Sequence, residues 1–207
     1  MYTVLTTGFE PYWDYPQNSA WVAASEAATL CHIEGVRICP VEVPVSFMRV
    51  ASALREAVEH YRPDLLLMLG QSGGSERIKL ERIAINMMEC KIPDNDGYIP
   101  DEVPIYPEEP PALFTNTHLK SIRAMIERYG VDKVKISNSC GLYVCNRLFY
   151  EGLRLSSLER YRGMKSLFVH LPYYEGQPCA KLERPTMPLS DMMRAIAAII
   201  NECRSER

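Results

Sequence analysis

Two cysteines and a histidine lie where predicted strands end. Residues 137–146 read SNSCGLYVCN, so Cys140 and Cys145 follow a short strand and precede a helix-like stretch. The unpaired N–H groups at the start of a helix lower the pKa of a nearby thiol and make it nucleophilic. His170 stands at the end of an apolar strand, in residues 168–172 (FVHLP). A thiol and a strand-end imidazole are the minimum set of groups for covalent acyl transfer.

The residues by themselves leave two candidates for the nucleophile. Cys140 comes directly after the strand and before Gly141, as in the sharp elbow that exposes a nucleophile, and this slightly favours it. Cys145 lies inside the start of the helix, where the helix dipole also acts. Because the two cysteines are five residues apart, they are not neighbours on one helical face, and we do not expect them to act together.

Two further polar positions each allow two interpretations. Glu81 either pairs with Lys79 or Arg82 on a solvated edge, which the residues alone favour, or holds the ring N–H of a histidine and stabilises the imidazolium. Gln71 opens the segment QSGG after a core strand. This segment lacks the third glycine and the Lys-Ser/Thr pair of a phosphate loop, which favours a tight turn over nucleotide binding. The remaining histidines are expected on the solvated surface: His32, His60 and His118.

Composition indicates a globular enzyme. The 207 residues predict a single domain spanning 1–207. The net charge of −3, without clusters of Lys and Arg, argues against a nucleic-acid partner. No basic leader or membrane-length apolar run is seen, so we expect no membrane association and a cytoplasmic location. The seven cysteines are odd in number and scattered, which fits neither a disulfide scaffold nor a zinc site, and most are expected to be buried.

Predicted strands and helices alternate along the chain. Strands are predicted at 2–7, 36–43, 64–70, 133–137 and 166–170, with a further extended stretch at 80–88. Helices are predicted at 20–30, 46–61, 118–129, 143–155 and 190–203, a turn at 92–97 and an exposed proline-rich loop at 104–111. This alternation predicts an α/β fold with a largely parallel sheet covered on both faces. Ligands bind such sheets at the carboxyl ends of the strands, where one cleft is expected to gather Gly8, Gln71, Cys140 and His170.

Four separated segments together resemble one known family. They are residues 8–11 (GFEP), residues 70–95 from GQ through ERIAIN to IPDN, residues 141–146 (GLYVCN) and residues 168–173 (FVHLPY). In this order they make the chain similar to pyroglutamyl peptidase I, or pyrrolidone-carboxylate peptidase, over nearly its whole length. The resemblance implies a three-layer α/β/α domain with a twisted, largely parallel mixed sheet. It also implies no cofactor and no metal, peptides with N-terminal pyroglutamate as substrates, and a homo-oligomer, a tetramer or a dimer.

The resemblance further implies a Cys-His-Glu triad. The family's nucleophile is the cysteine that precedes asparagine, which corresponds to Cys145, whereas Cys140 stands where the family has alanine. The elbow argument is therefore overruled. The histidine corresponds to His170 and the carboxylate to Glu81. The residues that border the family's substrate pocket correspond to Phe9, Tyr12 and Gln71.

Several residues depart from the family pattern near the expected pocket. Tyr12 replaces phenylalanine, Trp13 and Asp14 replace glycines, Lys91 replaces arginine, and Cys140 adds a second thiol. These changes leave the triad residues in place but alter the pocket. Two alternatives therefore stand beside a pyroglutamyl peptidase: a related thiol amidase that acts on a different small N-terminal cap, and a non-catalytic oligomeric homologue.

Overall fold

A computed structural model of the chain describes residues 1–13, 15–178 and 184–205. Asp14, named above, and Cys179, one of the seven cysteines, lie outside this part. The α-helices are α1 (Ser19–Leu30), α2 (Val50–Tyr61), α3 (Leu119–Arg128), α4 (Val144–Ser156) and α5 (Leu189–Ser205). The strands are β1 (Tyr2–Phe9), β2 (Val36–Val43), β3 (Leu65–Gln71), β4 (Ile78–Glu81), β5 (Ile83–Ile85), β6 (Ala112–Phe114), β7 (Val134–Ser137), β8 (Lys165–Leu171), β9 (Tyr173–Tyr174) and β10 (Thr186–Met187).

Six strands form the central sheet in the order β2-β1-β3-β8-β4-β7. Neighbouring strands are parallel except for β4 and β8, which run antiparallel. Long apolar strands linked by helices produce parallel neighbours, because the chain must cross over the sheet between them. The expected α/β fold with a largely parallel mixed sheet is therefore confirmed.

Helices cover both faces of the sheet. In β3, the alternate residues Leu65, Leu67 and Leu69 pack into a core shared with α1, α3 and α5. Leu66 and Met68 point the other way, into a second core shared with α2 and α4. Both faces of this strand are buried, which explains its unbroken apolar sequence. The result is the expected three-layer arrangement.

Some local predictions differ from the structure. The extended stretch at 80–88 is divided, because β4 ends at Glu81 and β5 leaves the central sheet to pair with β6. Gly8 lies within β1 rather than after it, and a Cβ atom there would be 2.4 Å from the Trp21 Cα. Gly8 therefore allows α1 to pack closely and is not a ligand position. No helix in the described ranges is long and apolar enough to cross a membrane.

Candidate active site

Glu81 and His170 meet because β4 and β8 are antiparallel neighbours. Glu81 is opposite Phe168 in the register of the two strands, so His170 is its diagonal neighbour on the same face. Long side chains reach each other across such a diagonal. The His170 Nδ1 lies 2.8 Å from the Glu81 Oε1, and both side chains are buried. Because a carboxylate only accepts hydrogen bonds, this contact places the ring proton on Nδ1 and leaves Nε2 free to accept a proton.

The interpretation of Glu81 as a solvated, ion-paired residue is wrong. Its side chain is 0% exposed. Arg82 instead donates to the Asn138 Oδ1 at 2.9 Å, and Lys79 donates to the Ser72 Oγ at 2.7 Å. In the described part of the chain, the Glu81 Oε2 has no hydrogen-bond partner. A buried carboxylate with one unpaired oxygen is costly, and such groups concentrate at functional sites.

Gly70 provides the space that the His170 ring occupies. Gly70 lies opposite His170 in the parallel register of β3 and β8. A Cβ atom on Gly70 would lie 2.9 Å from the His170 Cδ2 and 2.7 Å from the Phe168 Cζ. The Phe168 ring also contacts the imidazole edge-on, with centroids 4.9 Å apart. The imidazole thus packs against both the Phe168 ring and the backbone of Gly70.

Cys145 lies in the first turn of α4, on the face of the sheet that carries His170. It is half-buried and packs against the same core as Phe168. The Asn146 N–H donates to the Tyr143 carbonyl oxygen at 2.9 Å. The N–H groups of Val144 and Cys145, which come first in the helix, are therefore the ones suited to an oxyanion. A thiol, an imidazole and a carboxylate thus gather at one end of the sheet, although their strands and helix are distant in sequence.

Asn146 fixes the start of α4 against β5. Its Oδ1 accepts from the Ile85 N–H at 2.9 Å, and its Nδ2 donates to the carbonyl oxygens of Ile85 at 2.7 Å and Met87 at 2.9 Å. The side chain is fully buried. A buried amide with three backbone partners positions the helix rigidly. Asn146 therefore determines where the preceding thiol lies.

The Cys145 thiol is protonated near neutral pH. Burial raises the pKa of Cys145 to about 12, and the Glu81 carboxylate adds to the rise. The start of a helix lowers a thiol pKa, as expected from the sequence. The cost of burying a thiolate is larger and raises the pKa of Cys145. A nucleophilic sulfur here requires that a neighbouring base take the proton during attack.

Cys140 lies close to this site without lining its cavity. Its Sγ is 3.5 Å from the Asn146 Oδ1. Burial raises the pKa of the Cys140 thiol well above its ordinary value, with further contributions from Glu81 and Cys145. The elbow geometry expected at Cys140 places a positive φ of 80° at Gly141, but it does not bring the thiol into the cavity.

A cavity of about 240 Å³ opens beside Cys145. Within residues 1–13, 15–178 and 184–205, the residues that line it are uncharged: Phe9, Tyr12, Trp13, Asn18, Val45, Gln71, Ile92, Tyr143, Val144 and Cys145. The three expected binding residues, Phe9, Tyr12 and Gln71, are all among them. A small, mostly apolar cavity with a few polar groups is typical of a site for a neutral small group.

Gln71 has a defined orientation in this cavity. Its Oε1 accepts from the Ser19 N–H at 2.8 Å and from the Gln177 Nε2 at 2.7 Å. Its Nε2 lies 3.3 Å from the Tyr12 hydroxyl, to which it donates. The carbonyl oxygen of the amide is thus already engaged by two donors. The amide nitrogen, with its second hydrogen, is the part of Gln71 that remains to donate to a ligand.

The predicted turn at 92–97 contributes Ile92 to the lining of the cavity. Asp94 is buried, and its carboxylate accepts from the N–H groups of Phe47 at 2.9 Å and Tyr98 at 2.9 Å. The Tyr143 hydroxyl donates to the Pro93 carbonyl oxygen at 3.0 Å. These bonds attach the turn to α4 and to the segment before α2. Lys91, the expected departure from arginine, is exposed at the edge of this turn.

Sequence reasoning missed the positioning roles of Gly70, Asn146 and Asp94. Asn146 and Asp94 belong to the sequence motifs, but only their hydrogen-bond partners in the structure show which backbone segments they position. Gly70 is predicted as the last residue of a strand. Nothing in the neighbouring sequence indicates that the His170 ring, from a distant strand, packs against it. The exposed surface positions expected for His32, His60 and His118 are confirmed.

The chain is similar to known proteins over nearly its whole length. The family model for pyroglutamyl peptidase matches residues 2–206. Pyrrolidone-carboxylate peptidase 1 of Caldanaerobacter subterraneus is 36% identical over 197 residues, covering 95% of each chain. The pyrrolidone-carboxylate peptidase of Gloeobacter violaceus is 34% identical, covering 99% of this chain and 98% of its own.

Solved structures match over the same length. Pyroglutamyl peptidase I of Bacillus amyloliquefaciens superposes with a TM-score of 0.90 at 31% identity, covering 99% of this chain and 98% of its own. A mutant pyrrolidone carboxyl peptidase from Pyrococcus furiosus superposes with a TM-score of 0.91 at 30% identity, covering 99% of both chains. The chain therefore belongs to the pyroglutamyl peptidase family.

Proposed function

We propose that this chain is a cysteine exopeptidase that removes N-terminal pyroglutamyl residues from peptides, with Cys145, His170 and Glu81 as its catalytic residues. The observation that carries the assignment of these residues is the buried 2.8 Å contact between His170 Nδ1 and Glu81 Oε1, on the sheet face that Cys145 packs against. This contact orients an imidazole on the sheet face that also carries a thiol lining a small cavity, which supports a triad.

The cavity suits the pyroglutamyl ring. Pyroglutamate is a neutral lactam without a free amine, so its recognition needs no acidic partner. The described residues that line the cavity are uncharged. Phe9 and Tyr12 supply flat apolar surface for the ring. The Nε2 of Gln71 is available to donate to the lactam carbonyl, since the Oε1 is held by Ser19 and Gln177. Backbone groups of the cavity supply the acceptor for the lactam N–H.

The proposed reaction proceeds through a thioester. The Nε2 of His170 takes the thiol proton while the Cys145 sulfur attacks the pyroglutamyl carbonyl carbon, and Glu81 stabilises the imidazolium. N–H groups at the start of α4 bind the oxyanion, and one such donor is typically worth about 3 kcal/mol. The tetrahedral intermediate then expels the peptide amine, which receives the proton from His170. Water, deprotonated by His170, hydrolyses the thioester and regenerates the thiol.

Proton transfer in the transition state fits the raised pKa of the Cys145 thiol. Because burial disfavours a free thiolate, the charge is created only when the imidazolium and the oxyanion donors can offset it. This assigns His170 the role of a general base in the first step as well as that of a general acid in the second.

A panel of fluorogenic amides tests the proposal. The panel carries pyroglutamyl, N-acetylalanyl, prolyl and N-formylmethionyl groups on one fluorophore. We expect turnover of the pyroglutamyl amide and at least a hundredfold lower kcat/KM for the other caps. Faster cleavage of another cap would establish the alternative thiol amidase. Absence of cleavage for every cap under reducing conditions would establish a non-catalytic homologue.

We further propose a homo-oligomer in the reducing cytoplasm. Met48 and Ile99 are large apolar side chains with 71% and 51% exposure, which supports burial against another copy of the chain. Free cysteines in the described part of the chain, including Cys140 and Cys145, fit a compartment that keeps thiols reduced. Light scattering after size-exclusion chromatography tests the subunit number, and a monomer at micromolar concentration would contradict it.

A further inference from the structure

The exposure of the lining residues divides the cavity into a floor and a rim. Phe9, Asn18, Val45, Gln71 and Val144 are buried and form the floor. Tyr12, Tyr143 and Cys145 are half-buried and form the wall. Among the described lining residues, two are exposed, Trp13 at 54% and Ile92 at 42%, and these form the rim.

The rim residues are large and apolar, although they face water. A single exposed apolar residue is ordinary, but two that line one cavity mark a surface that a ligand covers. With the pyroglutamyl ring on the cavity floor, the rest of the substrate peptide begins at the scissile carbonyl. Everything after that bond must leave the cavity past the rim. The first side chain of the departing peptide is therefore the group that the rim meets.

Trp13 is held in place by its neighbours. Its φ of 53° lies in the left-handed region, which a bulky residue rarely adopts without support. The Tyr15 N–H donates to the Tyr12 carbonyl oxygen at 3.2 Å and closes the turn across Trp13. The indole packs edge-on against Tyr12, with centroids 5.1 Å apart, and is tilted against Tyr15 at 6.3 Å.

This aromatic group is anchored to the interior. The Tyr15 ring lies 5.9 Å from that of Tyr173, which is buried. An exposed indole that packs against two neighbouring rings is pre-organised for contact with a ligand. Pre-organised aromatic surface binds a ligand without a large loss of conformational entropy.

We propose that Trp13 and Ile92 form the subsite for the residue that follows pyroglutamate, and that this subsite favours a large apolar side chain, above all an aromatic one. This inference rests on the proposed peptidase function. It adds a preference for the side chain of the residue that follows the scissile bond. The groups that hold the pyroglutamyl ring do not determine this preference. Trp13 and Ile92 are specificity-determining residues and take no part in the chemistry.

The test compares two dipeptide amides, pyroglutamyl-phenylalanine amide and pyroglutamyl-alanine amide. We expect the wild type to favour the phenylalanine substrate by roughly three- to tenfold in kcat/KM, the size of one aromatic contact. Trp13→Gly, which also relieves the positive φ, should bring this ratio close to one through a higher KM for the phenylalanine substrate. Trp13→Phe should keep most of the preference. Leu30→Ala, at an exposed apolar residue outside the cavity lining, should leave the ratio at the wild-type value.

The outcomes separate this inference from the function on which it rests. If the wild type cleaves neither substrate, the peptidase proposal fails. If the wild type cleaves both and Trp13→Gly keeps the wild-type ratio, or lowers both rates equally, the rim subsite is wrong.

Fluorescence gives a second measurement that does not depend on turnover. Trp13 and Trp21 are the two tryptophans of the chain, so Cys145→Ala with and without Trp13→Phe isolates the Trp13 signal. Pyroglutamyl-phenylalanine amide should change this signal, and free pyroglutamate should not. An equal change with both ligands would place the indole against the ring and overturn the assignment.

Discussion

The His170 ring packs so closely against Gly70 that a methyl group added to Gly70 would clash with the imidazole. The ideal Cβ position on Gly70 is 2.9 Å from the His170 Cδ2. The two residues are partners in the parallel register of β3 and β8, although they are far apart in the chain. The orientation of the proposed base thus depends on the absence of a side chain on the neighbouring strand.

Gly70→Ala should therefore impair catalysis more than folding. The added methyl displaces the imidazole from Glu81, and we expect kcat/KM on the pyroglutamyl amide to fall at least tenfold. The overpacking itself should cost about 1–3 kcal/mol of unfolding free energy, measured in urea. Gly152→Ala is the matched control, because its Cβ would meet the flexible Met68 side chain at 2.6 Å and no ring. Equal activity losses in the two variants would argue against a specific effect on His170.

Glu81→Gln separates activity from stability. The amide can donate to His170 Nδ1 and so favours the wrong tautomer, and we expect kcat to fall at least about a hundredfold. The substitution also removes a buried charge with an unpaired oxygen, so the urea midpoint should stay the same or rise. Wild-type turnover by a folded Glu81→Gln protein would remove this carboxylate from the mechanism.

The two thiols should differ completely in their importance for activity. Cys145→Ala should abolish turnover of the pyroglutamyl amide, because no other thiol lines the cavity in the described part of the chain. Cys140→Ala should retain activity within a few-fold, since it removes only a weak contact to Asn146. A loss of activity confined to Cys140→Ala would restore the elbow assignment.

The pH dependence of alkylation should reveal the buried thiol. A raised pKa keeps the thiol neutral, so the thiolate fraction rises tenfold with each pH unit until about pH 12. In His170→Gln, which lacks the base, the rate of Cys145 alkylation by iodoacetamide should keep rising between pH 8 and 10. An ordinary thiol is half ionised near pH 8.5, so its alkylation rate would level off by about pH 9.5. A plateau at or below that pH would show that burial does not dominate the Cys145 pKa.

Glu151 should contribute strongly to stability without acting in catalysis. It is fully buried and accepts from Arg55 at 3.2 Å, Arg147 at 3.3 Å and Arg154 at 3.0 Å. Glu151→Gln leaves these guanidinium groups without their shared partner, so we expect a loss of about 3 kcal/mol in urea unfolding. Glu127→Gln, in an exposed pair with Arg123, should cost less than about 0.5 kcal/mol. Similar losses in both variants would contradict a special role of burial.

Local patterns in the sequence were sufficient for much of the fold. The apolar run of β3, the alternation of strands and helices and the polar turn at 92–97 are determined by residues close together in the chain, so they were predicted correctly. The same holds for the position of His170 near a strand end and of Cys145 near a helix start. The motifs that carry the family resemblance favour Cys145 as the nucleophile, whereas local physics alone leaves both Cys140 and Cys145 as candidates and slightly favours Cys140.

Only the tertiary structure decided how these residues meet. The contact between Glu81 and His170 requires β4 to run antiparallel to β8, and no local signal sets that direction. The sequence interpretation of Glu81 as a solvated residue was wrong for this reason, since burial depends on strands far away in the chain. The raised pKa of the Cys145 thiol has the same origin. Local sequence determines which backbone conformations are favourable, whereas desolvation and ring packing are set by residues that come together only on folding.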